Sequence, residues 1–195
     1  MSNELQNKLA IIIPAYNEAG RIASTIAGIR KFTAADIIVV SDGSTDDTVA
    51  EAKEAGADVI ELAFNLGYGA ALQTGFKYAL KKKYEFAVQI DADGQHDPSS
   101  MQSLIRPVIN DEVDVAIGSR FLDKGNYKAP FVRRMGMYFF GIIASIVTGR
   151  KITDSTSGFQ ALNRNVLEFY ASDAYPVDYP DADVIIMLHR KGFRF

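Results

Sequence analysis

Four short strand-like runs, Leu9–Ile13, Asp36–Val40, Val59–Leu62 and Phe86–Ile90, alternate with stretches of helical period. Apolar runs this short and unbroken read as strands buried on both faces, the pattern of a parallel sheet. Between them, Ala19–Phe32 places Ile22, Ile26 and Ile29 on one helical face. Asp47–Ala55 follows the second run, with Ser44, Thr45 and Asp46 as candidate caps. A longer helix opens at Asn65–Leu72 and ends at Lys81–Lys83, and Pro98–Ile109 begins behind Asp97 as N-cap. Strand–helix alternation at this spacing predicts an α/β doubly wound, mainly parallel sheet flanked by helices. With 195 residues the chain is expected to form one domain, 1–195.

In such a sheet ligands bind beyond the carboxyl ends of the strands. Three of those ends are acidic: Pro14-Ala15-Tyr16-Asn17-Glu18, Ser41-Asp42-Gly43-Ser44-Thr45-Asp46 and Asp91-Ala92-Asp93-Gly94-Gln95. Chance does not readily put acids after three separate strands, so Glu18, Asp42, Asp91 and Asp93 are expected to meet at one site. Asp91 and Asp93 could share one hard cation, Mg²⁺ or Mn²⁺, whose remaining positions go to water or a ligand's phosphates.

Competing readings of the acidic turn fare worse. A calcium loop needs Gly at its sixth position and Glu at its twelfth; counted from Asp91, Gly94 comes too early and Gln102 stands where the Glu belongs. An aspartyl-nucleophile phosphatase carries its Asp-x-Asp on the first strand, with Thr or Val where this chain has Gln95. Gly67-x-Gly69 lacks the third glycine of a dinucleotide fingerprint and follows the wrong strand. Those glycines read instead as a close helix start.

Composition narrows the partners. A net charge of −3 with no long basic run argues against nucleic-acid binding. The absence of Cys fits a cytosolic protein, and Met1–Lys8 has no signal-peptide core. Met135–Val147, the longest apolar stretch, falls short of the roughly 20 residues of a spanning helix. It reads either as a core-packing helix or as an interfacial one flanked by Arg133, Arg134, Arg150 and Lys151. Gly192–Phe195 looks like the start of a strand, so the sequence reads as trimmed at its C-terminus.

The motifs Ile13-Pro14-Ala15-Tyr16-Asn17-Glu18, Val40-Ser41-Asp42-Gly43-Ser44-Thr45-Asp46 and Asp91-Ala92-Asp93-Gly94-Gln95-His96, in this order, resemble family 2 glycosyltransferases of the GT-A fold. The likeness is strongest to the branch that charges dolichyl or other polyprenyl phosphates with sugar, and it runs from Leu9 to Phe195. It implies an enzyme that inverts the sugar's anomeric centre in transferring it from a UDP- or GDP-sugar to a polyprenyl phosphate. The alternatives are transfer to a saccharide hydroxyl in cell-wall or exopolysaccharide synthesis, or a non-catalytic nucleotide-binding homologue. The expected location is cytoplasmic, at the cytoplasmic face of a membrane, with peripheral lipid contact.

The resemblance also implies roles. Pro14, Ala15, Tyr16, Glu18, Asp42, Asp91 and Ala92 would bind the nucleotide sugar, with Arg134 on its phosphates. Asp91, Asp93 and Gln95 would hold Mg²⁺ or Mn²⁺. Many relatives carry a second Asp where this chain has Ser41. Val115-Ala116-Ile117-Gly118-Ser119-Arg120 matches a Gly-Ser-Arg strand end, and Arg120 would sit beside the sugar or diphosphate. Asp154-Ser155-Thr156-Ser157-Gly158-Phe159 matches a motif near the acceptor, which singles out Asp154. Asp93, Arg120 and Asp154 are thus the expected catalytic set. A hydroxyl acceptor would add a base from Asp178, Asp181 and Asp183, of which Asp181 is the choice. His96 reads as a polar loop histidine.

Overall fold

The computed structural model describes residues 3–94, 96–119, 141–150, 152, 154, 156–176 and 182–195. A short helix α1 (Asn3–Gln6) precedes β1 (Leu9–Ala15), α2 (Ile22–Arg30), β2 (Asp36–Ser41), α3 (Thr48–Glu54) and β3 (Asp58–Glu61). Then come α4 (Tyr68–Lys81), β4 (Phe86–Gln89), a 3₁₀ turn (Pro98–Ser100), α5 (Met101–Ile109) and β5 (Val115–Ile117). Residues 141–148 are helical and are called α6. The chain continues with β6 (Gln160–Asn163), α7 (Arg164–Tyr170) and α8 (Ala182–Arg190).

The six strands form one sheet in the order β3-β2-β1-β4-β6-β5. β1 lies parallel to β2 and β4, and β2 parallel to β3, while β6 runs antiparallel to β4 and β5. The mainly parallel sheet expected from the sequence is therefore present, with one reversed strand next to β4.

β1 is central and buried at every residue, which explains its unbroken apolar sequence. Its alternate residues serve two cores. Ile11 and Ile13 pack with Ile22, Ile26 and Ile29 of α2, Ala52 of α3, and Met101, Ile105 and Val108 of α5. Ala10 and Ile12 pack with Leu72 and Phe76 of α4, Val166, Leu167 and Tyr170 of α7, and Val184 and Leu188 of α8. Gly75 lets α4 approach the sheet: a Cβ there would lie 2.5 Å from Ile12 Cγ2.

β1 extends past Pro14, where the sequence placed the loop. Ile12 O accepts from Ile90 N on the β4 side, and Ala15 O accepts from Asp42 N on the β2 side. Alternation turns Pro14 toward β4, whose paired residues stop at Gln89 opposite Ile12. The missing N–H of Pro14 falls beyond the end of that ladder, so the strand tolerates it. At the other end, residues 193–195 form no strand, although Arg194 O accepts from both Asp114 N and Val115 N.

Candidate active site

The loop after β1 is tied to the loop after β2 by side chains gripping backbone. Asn17, in the left-handed region at φ 53°, donates its N–H to Ser44 Oγ (3.1 Å), and its Oδ1 accepts from Thr45 N (2.9 Å). Asn is among the few non-glycine residues that adopt this conformation readily. Glu18 N donates to Thr48 Oγ1 at 2.7 Å, Ala19 N to Asp46 Oδ2 at 3.1 Å, and Gly20 N to the Glu51 carboxylate at 2.8 and 2.9 Å. Asp46 also accepts from Thr48 N, so one of the expected cap residues orders the start of α3. The Thr48 hydroxyl holds the Asp46 carboxyl below its usual range. Glu18 Oε2 lies 3.0 Å from Arg21 Nε, outside hydrogen-bond alignment, and Tyr16 is 49% exposed at the loop's edge.

Asp42 is buried, and both its oxygens face backbone: Oδ1 accepts from Leu66 N (2.7 Å) and Oδ2 from Gly67 N (2.9 Å). It anchors the start of α4, where Gly67 takes φ 97°. A carboxylate suits this place, because the first amides of a helix lack intrahelical partners. Gly43 (φ 68°) completes the closure, since a Cβ there would lie 2.6 Å from the Phe64 and Asn65 backbone. The close helix start expected from Gly67-x-Gly69 is what forms.

The third acidic segment leaves β4 at the same edge. Ala92 is buried and its carbonyl accepts from Thr25 Oγ1 of α2 at 3.0 Å. Gly94 (φ 71°) turns the chain, and Asp97 caps the 3₁₀ turn by accepting from Ser99 N at 2.9 Å. Asp91 Oδ1 accepts from the hydroxyl of Tyr68, in the first turn of α4, at 2.7 Å. Tyr68 in turn accepts from Gln89 Nε2 at 3.1 Å. Burial, reinforced by the Asp91 charge, pushes the Tyr68 phenol well above its ordinary value, so it remains a donor.

Because β6 is antiparallel, residues 156–159, which lead into it, reach this same edge. Gly158 lies against Asp91: a Cβ at position 158 would be 2.2 Å from Oδ2 and 2.5 Å from Oδ1. Ser157 Oγ donates to Gly118 O, and Phe159 O accepts from Gly118 N at 2.8 Å. Asp154 is buried and accepts weakly from Thr156 N and Oγ1, at 3.3 and 3.4 Å. His96 lies in a loop, as expected, yet is 8% exposed, with its ring 5.1 Å from that of Phe159.

Among the residues singled out from sequence, Pro14, Ala15, Tyr16, Glu18, Asp42, Asp91, Ala92, Asp93 and Asp154 are thus placed, all on segments at the carboxyl edge of the parallel strands. Gln95, Arg120, Arg133, Arg134, Asp178 and Asp181 lie outside the described residues. Asp183, at the exposed start of α8, is near enough for its charge to add to the burial that raises the Tyr170 phenol. Sequence reasoning passed over Tyr68, Gln89 and the individual importance of Gly158. A tyrosine in a helix and a glutamine in a strand carry no signal until the fold points both at Asp91.

Among the described residues no group of three or more His, Cys, Asp or Glu is placed to hold a metal ion. Asp91 and Asp93 nevertheless offer hard oxygen donors, and Mg²⁺ characteristically accepts one or two carboxylates when a ligand's phosphates complete its shell. The seat at Gly158, open only because no Cβ is there, gives one of those carboxylates a defined position. The donor set fits a cation delivered with a diphosphate.

The glycosyl transferase family 2 model matches residues 10–170, which takes in every segment of this edge. The chain belongs to that family. A relative from Methanococcus voltae, UDP-N-acetylglucosamine–dolichyl-phosphate N-acetylglucosaminyltransferase, is 29% identical over 93% of this chain and 80% of its own length. Undecaprenyl-phosphate mannosyltransferase from Micrococcus luteus is 30% identical over 86% of this chain and 71% of its own. Within family 2 the resemblance is therefore to the polyprenyl-phosphate sugar transferases. Glucosyl-3-phosphoglycerate synthase from Mycobacterium tuberculosis, solved with Mn²⁺ and UDP-glucose, superposes with a TM-score of 0.72 at 23% identity. That match covers 97% of this chain and 69% of the synthase, and it establishes the GT-A fold.

Proposed function

We propose that this chain transfers a sugar, with inversion, from a nucleoside diphosphate to a polyprenyl phosphate. The observation that carries this reading is the meeting of Asp91, from the end of β4, with Gly158, from the segment entering β6. A donor-side carboxylate and an acceptor-side motif thereby share one edge, in a chain whose relatives act on dolichyl and undecaprenyl phosphates.

In this reading Tyr16 and Glu18 border the nucleotide, while Asp42 shapes its wall by fixing residues 66 and 67. Asp91 and Asp93, with Gln95, hold Mg²⁺ or Mn²⁺. A cation held there would supply positive charge beside the diphosphate, which gains negative charge as its bond to the sugar breaks. Arg120 and Arg134 add donors to the same phosphates, for which a guanidinium's parallel N–H pair is suited. Asp154 borders the acceptor. A lipid phosphate is already an anion and needs no base, whereas a sugar hydroxyl would require Asp181 to take its proton.

The helix α6 supports the lipid acceptor. Ala144 and Thr148 are buried, while Ile142, Ile146 and Val147 face solvent with Arg150 just beyond. Between the two expectations for this stretch, the exposed side chains favour an interfacial helix over a core one. Among the described residues no helix is long and apolar enough to cross a membrane.

The test is thermal unfolding with UDP, GDP and dTDP, each with Mn²⁺ or with chelator, followed by sugar transfer to a polyprenyl phosphate. A ligand at 100 times its Kd stabilises by about 2.7 kcal/mol. Metal-dependent stabilisation by one diphosphate, lost in Asp93→Ala, together with labelled lipid product, is the expected result. Transfer to a soluble saccharide alone would replace the lipid acceptor with a hydroxyl one. No stabilisation at millimolar ligand would overturn the reading.

A further inference from the structure

The side chains around Asp91 form an ordered relay. An ionised carboxylate only accepts hydrogen bonds, so the single proton of the Tyr68 hydroxyl must point at Asp91 Oδ1, 2.7 Å away. The Tyr68 oxygen is then left to accept, and Gln89 supplies Nε2 at 3.1 Å. This fixes which way round the Gln89 amide stands. Gln89 is 2% exposed, and its Oε1 has no hydrogen-bond partner among the described residues. Leaving a buried acceptor in that state is costly. A hydrophobic residue of similar size would avoid the cost but could not restrain Tyr68.

Asp91 is confined from a second direction. The Cα of Gly158 faces its carboxyl group, and the volume of a Cβ there is taken up by Oδ1, Oδ2 and Cγ, at 2.5, 2.2 and 2.6 Å. One neighbour sets the direction of the carboxylate and the other its depth. An alanine at position 158 would need Asp91 itself to move.

We propose that Tyr68, Gln89 and Gly158 are positioning residues that hold the Asp91 carboxylate in one orientation for a divalent cation. The proposal rests on the functional reading above, which assigns Asp91 to the metal. None of the three is itself a ligand. They act by removing the alternative rotamers of Asp91, so that orienting it is not charged against metal affinity. Partners that orient a ligand in this way commonly change affinity by 10–100-fold when removed.

The test is calorimetric titration of Mn²⁺ into protein saturated with whichever of UDP or GDP the wild type binds. Tyr68→Phe deletes one oxygen and should weaken Mn²⁺ about tenfold or more. Gln89→Met, which leaves the phenol in place but unrestrained, should weaken it less, and Gly158→Ala at least as much as Tyr68→Phe. Tyr84→Phe is the control. Its hydroxyl also donates to a carboxylate, Asp36 Oδ2 at 2.6 Å, but at the opposite edge of the sheet. It should lower the melting temperature and leave Mn²⁺ affinity alone. For Tyr68→Phe, turnover lost at low Mn²⁺ should return when Mn²⁺ is raised. Mn²⁺ affinity within twofold of wild type in both Tyr68→Phe and Gln89→Met would overturn the proposal, whatever happens to stability. A wild type that takes up no Mn²⁺ with either diphosphate would instead overturn the functional reading, and this proposal with it.

Discussion

Asp42 Oδ2 accepts the backbone N–H of Gly67 at 2.9 Å, joining the loop after β2 to the start of α4. The neighbouring oxygen does the same for Leu66, so a single buried side chain satisfies two amides. Asp42→Ala strands both donors and should cost about 2–3 kcal/mol. Asp42→Asn keeps the shape but offers one good acceptor and should cost less. Urea unfolding of the three proteins, compared at equal slope, reads the difference.

Gly75→Ala tests the approach of α4 to the sheet. In an exposed helix this exchange stabilises by up to about 1 kcal/mol. Here the new methyl would stand 2.5 Å from Ile12 Cγ2 and 3.3 Å from Val40 Cγ2, where overpacking costs about 1–3 kcal/mol. The expected sign is destabilising, seen as a lower melting temperature.

The pair formed by Asp114 and Arg194 predicts a pH dependence. Arg194 donates to both Asp114 oxygens, and these hydrogen bonds hold the Asp114 carboxyl below its usual value. A lowered carboxyl contributes stability that is full above the ordinary carboxylate value, about 3.9, and fades as pH falls through the folded one. Arg194→Met should therefore be less stable than wild type at neutral pH, with the gap closing in acid. Denaturation midpoints from pH 7 down to the acid limit of folding check this.

Ile146, 76% exposed on α6, separates lipid contact from folding. Ile146→Asp removes little packing and should shift stability by less than about 0.5 kcal/mol. Flotation with vesicles containing anionic lipid should nevertheless fall several-fold. Equal flotation of both proteins would remove α6 from the lipid-binding surface.

Much of this architecture was readable in the chain because continuous apolar runs have few other uses. The runs at 9–13, 36–40 and 86–90 marked strands, and the acids just after them marked the edge where ligands meet. The end of β1 was misjudged because the tolerance of Pro14 depends on where β4 stops, which is a tertiary fact. His96 lies in a loop as read, but its burial beside the ring of Phe159 depends on a contact 63 residues along the chain. Tyr68 stands 23 residues before Asp91 and meets it only because α4 begins at the same edge of the sheet, and Gln89, two residues before Asp91, is tied to it through the Tyr68 hydroxyl. Gly158 was legible as part of a motif, but its reason, the volume occupied by Asp91, was not.

The reversal of β6 also orders events in time. Asp91 and Gly158 are separated by 67 positions, and the two do not meet until the chain has gone out and come back along the neighbouring strand. Closing so long a loop carries an entropic cost before any contact offsets it, and such pairings form slowly. During synthesis, β1 to β4 can emerge and pair while Asp91 still lacks one of its walls. The acidic edge is therefore assembled from its oldest and newest residues, and catalytic competence should lag behind the appearance of a folded sheet.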